Sequence, residues 1–362
     1  MLSHPGQARP ADSQTVSAAA PQRFAKGEKL RFTTRRARPG LTRAHVTSIV
    51  ANPVAAAGVF VIPPSTGSRL VKTRILIYLM TALLRAFALL PYGVIARIGT
   101  GIGALLYRIP STRRRVVHTN LKLCFPDMSD DARERLARAH FCHVIRSYVE
   151  RGPQWFGNAQ AIARLVQVES AIDLADVHSQ PTIFVGFHFV GIEAGCMMYS
   201  TRHPVASLYT PMSNLLLDAM ARRQRGRFGT EMIPRSDSVR RALRVLREGK
   251  PVMLAADMDF GLRDSVFVPF FGVPACTLTS VSRMARAGNA RVVPFVTEVL
   301  PDYRGYKLTI FDALSDFPSD DVAVDARRIT EFLETQVRRI PDQYYWVHKR
   351  FKNRPAGEAG VY

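Results

Sequence analysis

The sequence predicts an α/β fold, with a central, mostly parallel β-sheet flanked by helices and preceded by apolar N-terminal helices. The sheet is predicted because short runs of β-branched and aromatic residues alternate with helical stretches from residue 181 onward. Such alternation is typical of α/β domains with a buried sheet. The N-terminal helices are predicted because residues 69–108 are rich in Ile, Leu, Ala and Tyr.

The chain is strongly basic. Its 362 residues contain 50 Lys and Arg against 29 Asp and Glu, a formal net charge of +21 at pH 7. This balance favours an anionic partner, and nucleic acid, anionic lipid and phosphorylated substrates all qualify. The four cysteines are scattered without a Cys-x-x-Cys pair, which argues against a disulfide framework and a cysteine-rich zinc site. We therefore predict no metal site.

The first 68 residues differ in composition from the rest. They are basic, rich in Ala, Pro, Ser and Thr, and lack helical or strand periodicity. This composition predicts a disordered N-terminal extension over residues 1–68. A second hypothesis is that synthesis starts at Met80, inside an apolar segment, so that the native product lacks this extension.

Residues 69–110 form the second predicted region, with apolar helices over 75–90 and 92–107 that Pro91 separates. Arginines interrupt the region, so its charge-free runs are shorter than the ~20 apolar residues that a membrane-spanning helix needs. Basic clusters flank the pair, which suits helices that lie in or on the cytoplasmic leaflet of a membrane. The alternative is a pair of buried helices in a soluble protein.

Glycines at 99, 101 and 103 imitate part of a dinucleotide-binding fingerprint. That motif requires a strand before the glycines and a helix that begins at them. Here both flanks are helical, so close packing against another helix is the favoured interpretation.

Residues 111–355 are predicted to form the α/β domain, mostly helical over 111–180 and with the sheet in 181–355. A charged amphipathic helix is expected over 130–151. Strands are predicted at 182–187, 205–209, 252–256, 291–300 and 306–311. Helices are predicted at 191–200, 214–227, 238–248, 279–287 and 322–339.

His188 and Glu193 are the main candidates for chemistry. His188 comes directly after the buried strand at 182–187, and ligands of α/β sheets bind at the carboxyl ends of the strands. A turn between this strand and the next helix would bring Glu193 to the imidazole. A carboxylate that orients one ring nitrogen leaves the other free to act as a general base. The spacing therefore predicts a catalytic pair.

Two common catalytic motifs are missing from the sequence, the Gly-x-Ser-x-Gly turn of serine hydrolases and the Walker-type phosphate loop. A histidine base without a serine or cysteine nucleophile suits direct acyl transfer, in which an acceptor hydroxyl attacks a thioester. Such a single displacement needs no cofactor.

Six sequence blocks point together to one family. In order, they cover residues 120–126, 188–193, 234–237, 256–261, 266–272 and 341–352. The set resembles the bacterial lipid A biosynthesis late acyltransferases, the lauroyl/myristoyl family of the lysophospholipid acyltransferase superfamily. Many phospholipid-type members of that superfamily have Asp where this chain has Glu193, so the longer acid fits the lipid A branch.

The resemblance implies that His188 and Glu193 are catalytic and that Arg235 and Asp257 bind substrate. The implied donor is an acyl carrier protein thioester, and the implied acceptor is a hydroxyacyl chain of a phosphorylated glycolipid, the lipid A precursor. The implied location is the cytoplasmic face of the inner membrane. Arg235 is expected to hold a phosphate or the developing oxyanion, and Asp257 to hold Arg235 or a backbone turn. An ordinary surface arginine and a capping aspartate are the alternatives.

Two other functions fit parts of the sequence. One is an acyltransferase of the same fold that acts on a lysophospholipid or another glycolipid. The other is a non-catalytic basic protein bound to membrane or nucleic acid. Basic residues flank apolar helices here and do not alternate with aromatic residues on a sheet face, which favours a membrane partner and argues against nucleic acid.

Two further sets of residues each have two interpretations. Three phenylalanines of the fifth block either line an acyl channel or belong to the core: Phe267, Phe270 and Phe271. Four residues near the C-terminus form either a patch for anionic lipid or a solvated face: Trp346, His348, Lys349 and Arg350.

Overall fold

The computed structural model describes residues 68–362, so the predicted extension at 1–68 lies outside the described residues except for Ser68. The helices are α1 (Ser68–Phe87), α2 (Tyr92–Tyr107), α3 (Thr112–Cys124), α4 (Asp130–Val149), α5 (Arg151–Phe156), α6 (Ala159–Leu165), α7 (Ile192–Ser200), α8 (Leu215–Gly226), α9 (Ser238–Arg247), α10 (Ser280–Gly288) and α11 (Val322–Arg339). The strands are β1 (Val166–Ser170), β2 (Thr182–Gly186), β3 (Ala206–Tyr209), β4 (Glu231–Pro234), β5 (Val252–Ala255), β6 (Ser265–Phe270), β7 (Val273–Leu278), β8 (Arg291–Val299) and β9 (Tyr306–Ile310).

Seven of these strands form one sheet in the order β1-β9-β8-β2-β5-β3-β4. The five strands from β8 to β4 run parallel, whereas β9 is antiparallel to β8 and β1 is parallel to β9. The remaining two strands, β6 and β7, form a separate antiparallel hairpin. The predicted α/β class with a mostly parallel central sheet is therefore confirmed.

The pairing of β2 with β5 positions the site. Every residue of β2 is buried, as expected of a strand in the middle of a sheet that helices cover. Gly186 at the end of β2 is in register with Ala255 at the end of β5. Because the strands are parallel, the residues that follow them emerge side by side at the same edge of the sheet.

Three differences from the predicted elements have local causes. The mostly helical region 111–180 also contains β1, a short strand at the sheet edge with a half-exposed pattern that weakens its periodic signal. β4 has only four residues and was not predicted. The β6–β7 hairpin contains a proline in each strand, which sequence rules count against strands, but a two-stranded hairpin tolerates proline at its edges.

The first two helices separate at Pro91, as predicted, and α2 packs closely on α4. A Cβ atom added to Gly99 would lie 2.7 Å from the Cα of Arg146, and one added to Gly103 would lie 2.6 Å from the Cα of Cys142. These glycines therefore bring two helix backbones together, and no phosphate-binding loop is present at this position. Within residues 68–362, no helix combines the length and apolarity needed to cross a membrane.

The segment after α11 folds back onto the end of β2. The backbone carbonyl oxygen of Gln343 accepts a hydrogen bond from the backbone N–H of Val190 at 2.9 Å, and Tyr344 forms an isolated antiparallel β-bridge with Phe189. Trp346 and Arg350 are buried, at 1% and 3% exposure. The predicted C-terminal patch for lipid, and the alternative of a solvated face, are therefore wrong for these two residues.

Candidate active site

The imidazole of His188 is held by Asp257 at the carboxyl edge of the sheet. Nδ1 of His188 donates to Oδ1 of Asp257 at 2.6 Å, and the backbone N–H of His188 donates to Oδ2 at 2.9 Å. His188 lies two residues beyond β2 and Asp257 two residues beyond β5, so the in-register pair of strands places them together. Because a carboxylate only accepts hydrogen bonds, Nδ1 carries the proton and the Nε2 lone pair is free.

The electrostatic environment keeps Asp257 ionised. Its side chain is buried, and burial by itself would raise the pKa of the carboxyl. The charge of His188 and its two hydrogen bonds outweigh this effect, so the pKa of Asp257 is lowered below its ordinary value. An ionised acid next to Nδ1 stabilises the imidazolium that forms when Nε2 takes up a proton.

The position of Glu193 differs from the expected one. It lies in the first turn of α7, where its carboxylate accepts hydrogen bonds from Arg225 of α8 at 2.6 to 3.1 Å and from Nε1 of Trp155 at 2.8 Å. Burial would raise the pKa of Glu193, but the charge and hydrogen bonds of Arg225 lower it to about 2. The sequence predicted that Glu193 would accept a hydrogen bond from the His188 ring, but the carboxylate that accepts it is that of Asp257.

Two glycines explain how α7 sits against the sheet. A Cβ atom on Gly191 would lie 2.6 Å from the carbonyl oxygen of Thr297 in β8, and one on Gly195 would lie 1.9 Å from its Oγ1. The helix that carries Glu193 therefore approaches β8 as closely as backbone contact allows. This close approach fixes the distance between the first turn of α7 and the strand edge that carries His188.

Arg235 follows the parallel strand β4 and reaches the same edge of the sheet. Its guanidinium lies over the ring of Phe260, 3.6 Å from the ring centroid, and burial lowers its pKa. Its Nη1 is buried and has no hydrogen-bond partner among residues 68–362. The expected contact between Arg235 and Asp257 is not formed, because Asp257 binds His188.

A cavity of about 1500 Å³ opens beside these residues, and its lining includes His188, Glu193 and Arg235. Ligand pockets typically measure about 300–1000 Å³, so this cavity accommodates a large substrate. Its apolar lining is rich in methionine: Met197, Met212, Met232, Met253, Met258 and Met284. Flexible thioether side chains adapt to irregular apolar ligands. Phe267, Phe270 and Phe271 do not line the cavity, and Phe270 is fully buried in the core.

The charged lining of the cavity is mostly cationic. It contains the acids Glu193, Asp237 and Asp264 and the arginines Arg151, Arg225, Arg235, Arg240, Arg241, Arg244, Arg263 and Arg283. Several arginines bind acids, such as Arg241 with Glu231 at 2.6 Å and Arg283 with Asp264 at 2.6 Å. Arg240 and Arg244, exposed on α9, have no acidic partner within residues 68–362. The site therefore has cationic groups left to bind an anion.

Sequence reasoning missed two residues of this site, Arg225 and His348. Arg225 lies in an arginine-rich helix end where no local signal distinguishes it from its exposed neighbours. His348 was considered only as part of a C-terminal patch, yet it lines the same cavity as His188.

Residues 68–362 contain no cluster of three or more His, Cys, Asp or Glu side chains that could hold a metal ion.

Comparison with known proteins identifies relatives over most of the described region. The family profile described as Bacterial lipid A biosynthesis acyltransferase matches residues 63–353. The chain is 36% identical to lipid A biosynthesis lauroyltransferase of Escherichia coli (strain K12), over 75% of this chain and 90% of that protein. It is 32% identical to the palmitoleoyltransferase of the same strain, with the same coverage. It is 27% identical to the myristoyltransferase of that strain, over 74% of this chain and 83% of that protein.

Proposed function

The chain belongs to the bacterial lipid A biosynthesis acyltransferases, and we propose that it transfers a fatty acyl group from an acyl carrier protein thioester to a hydroxyl of a lipid A precursor. The observation that carries this proposal is the His188–Asp257 pair, which opens onto a large cavity with apolar and cationic walls. Each requirement of the reaction, a base, a site for a fatty chain and a site for an anionic headgroup, has a counterpart in that cavity.

In the proposed mechanism, His188 is the general base. Nε2 takes the proton of the acceptor hydroxyl while its oxygen attacks the carbonyl carbon of the thioester. The resulting tetrahedral oxyanion collapses, the carbon–sulfur bond breaks, and the imidazolium returns the proton to the thiolate. The products are an ester and a free thiol. Asp257 stabilises the imidazolium throughout the step.

Glu193 is proposed as a positioning residue. Its carboxylate joins α7 to α8 through Arg225 and to α5 through Trp155. Glu193 and Arg225 both line the cavity. A buried anion held by an arginine and an indole fixes the wall at a constant distance from His188.

The methionine-rich part of the cavity is proposed to hold the acyl chain, and the arginines Arg235, Arg240 and Arg244 to hold a phosphate of the acceptor. Guanidinium groups bind phosphate through paired N–H donors. Arg235 supports this assignment because one of its nitrogens is buried and lacks a hydrogen-bond partner within the described chain.

The first two helices are proposed to dock on the cytoplasmic face of the inner membrane. Most of the large exposed apolar side chains of the described residues lie between 71 and 109, including Leu76, Leu79 and Leu89 at 66%, 62% and 87% exposure. Basic residues of the same helices suit the anionic headgroups. Flotation with anionic vesicles tests this, and unchanged binding after replacement of Leu76 and Leu79 by Asp would oppose it.

The proposed function is tested by mass spectrometry of lipid A from cells with and without this protein. We expect cells without it to lack one secondary acyl chain, whose mass gives the chain length. A purified enzyme that moves an acyl chain from acyl carrier protein to the precursor completes the test. Unchanged lipid A, together with transfer to a lysophospholipid in vitro, would reject the lipid A acceptor.

A further inference from the structure

His348 stands next to His188 on the wall of the cavity. The centroids of the two rings are 5.5 Å apart, with 66° between the ring planes. Both residues line the cavity, and the imidazole nitrogens of His348 have no hydrogen-bond partner within residues 68–362. His348 is half-buried, and its side chain is part of the cavity wall, where a substrate can reach it.

The backbone that carries His348 is held firmly. The fully buried Asn120 donates from Nδ2 to the carbonyl oxygens of Trp346 and His348, both at 2.7 Å. Arg113 donates from Nη1 to the carbonyl oxygen of Val347 at 3.0 Å. Three successive carbonyl groups are therefore fixed by side chains of α3, which is more than an exposed, solvated tail would require.

The same segment is attached directly to the base. The backbone N–H of Tyr345 donates to the carbonyl oxygen of His188 at 2.8 Å. The Tyr345 ring also packs on the His348 ring, with 4.6 Å between the centroids. The two imidazoles therefore keep a constant separation. With the ring centroids 5.5 Å apart, we infer that one reacting group at this part of the wall can contact both imidazoles.

His348 is an uncharged hydrogen-bond donor. Burial is the main cause that lowers its pKa, the charges of His188 and Arg113 add to this, and Asp257 opposes it, with a result of about 4. At neutral pH the ring is a neutral imidazole with one N–H. A neutral imidazole that is held in place can polarise a carbonyl group without giving up its proton.

We propose that His348 is a further catalytic residue, whose N–H binds the thioester carbonyl oxygen as that oxygen becomes negative. The inference rests on the proposed acyl transfer. When the acceptor oxygen attacks, the carbonyl electrons move to the oxygen and the hydroxyl proton moves to Nε2 of His188. His348 stabilises this charge and keeps its own proton. When the carbon–sulfur bond breaks, the negative charge leaves with the thiolate, which receives the proton from His188.

The test compares His348→Leu, which lacks a donor, with His348→Gln, which keeps an N–H of similar reach. We expect kcat to fall about 10²–10³-fold in the leucine variant, as when one oxyanion donor is lost, and to recover by at least tenfold in the glutamine variant. The acidic limb of the pH–rate profile should keep its midpoint in both, since the base itself is unchanged. A shifted midpoint with a normal plateau would overturn the proposal, because His348 would then act only through His188.

Thermal unfolding shows whether the variants fold, and His348→Ala with added imidazole serves if the leucine variant does not. Recovery of transfer with imidazole is expected, whereas a merely structural role would give none. Wild-type kcat in the leucine variant, or equal losses in folded leucine and glutamine variants, overturns the inference alone. Failure of the wild-type enzyme to transfer any acyl group would instead reject the proposed function.

Discussion

Glu193 is bound to Arg225 and not to the histidine five positions before it. Nη2 of Arg225 lies 2.6 Å from Oε2 of Glu193, and Nε lies 2.9 Å from Oε1. This ion pair connects α7 with α8 beside the cavity. The acid of the His-x4-Glu motif therefore lies in the wall of the site, whereas the acid bound to the His188 ring is Asp257, which follows strand β5.

Replacing Glu193 is expected to affect stability as well as transfer. The pKa of Glu193 is lowered to about 2 from 4.5, so its ionised form stabilises the fold above pH 4.5 and this contribution is lost as the pH falls toward 2. The shift corresponds to about 3 kcal/mol at neutral pH. Glu193→Ala should lose a similar amount in urea unfolding and transfer acyl groups at least about 10²-fold more slowly.

The matched control is the pair Arg225→Ala and the Glu193→Ala/Arg225→Ala double variant. Because each single replacement leaves a buried charge without its partner, the double variant should be less destabilised than the sum of the two. Additive losses would mean that the two side chains do not stabilise each other.

Asp257→Asn is expected to lower kcat by about 10²–10⁴-fold while the protein remains folded. The amide fills the same space but lacks the negative charge that stabilises the His188 imidazolium. His188→Ala should lose at least as much, and the double variant little more than His188→Ala, because both residues act in one step. Steady-state transfer from an acyl thioester measures this. A fully active Asp257→Asn variant would exclude the His188–Asp257 pair from the mechanism.

Arg240 and Arg244 are expected to act in acceptor binding. Replacing both by Ala should raise KM for the phosphorylated acceptor about tenfold or more, with a small change in KM for the thioester. Arg247→Ala is the control, because Arg247 is exposed on the same helix but does not line the cavity. If Arg247→Ala raised KM for the acceptor as much as the double replacement does, general surface charge would explain the effect. Using an acceptor without phosphate should remove the difference between variant and wild type.

Gly99→Ala and Gly101→Ala should change stability in opposite directions. Gly99→Ala places a methyl group against the backbone of Arg146, and such overpacking costs about 1–3 kcal/mol. Gly101 has no atom within 4 Å of an added Cβ, so alanine there should stabilise the helix by about 0.5–1 kcal/mol. Denaturant unfolding of both variants measures the difference. Equal stabilities would contradict the close packing of α2 on α4.

Much of the sheet was predictable because the local sequence pattern distinguishes its strands from the helices and loops around them. The long strand β8, the buried strand β2 and the helix α11 were predicted within one or two residues of their observed bounds. The order of the strands was not predictable from local pattern, since it depends on contacts between residues far apart in sequence. Asp257 was placed correctly after a predicted strand, but its bond to His188 follows only once β5 is known to pair with β2.

The same limit explains the residues at the C-terminus. Trp346 and Arg350 were grouped with surface residues in the sequence analysis, yet Arg350 donates to the carbonyl oxygen of Cys276 and to Oγ1 of Thr277, two buried residues of β7. Only the return of the chain toward β2 gives them buried partners. His348 reaches the cavity for the same reason, and nothing near it in sequence indicates that His188 is its neighbour.

The return of the chain from residue 341 to residue 348 has a consequence for biosynthesis. Every strand of the described sheet ends by Ile310, so the ribosome has delivered the complete sheet well before it delivers Tyr345 and His348. A nascent chain at that stage contains His188 and Asp257 but lacks the segment that fixes the His188 carbonyl. If these residues act as proposed, we expect turnover to begin only after translation of this segment. A nonsense mutation shortly before it should then give a nearly full-length polypeptide without acyltransferase activity.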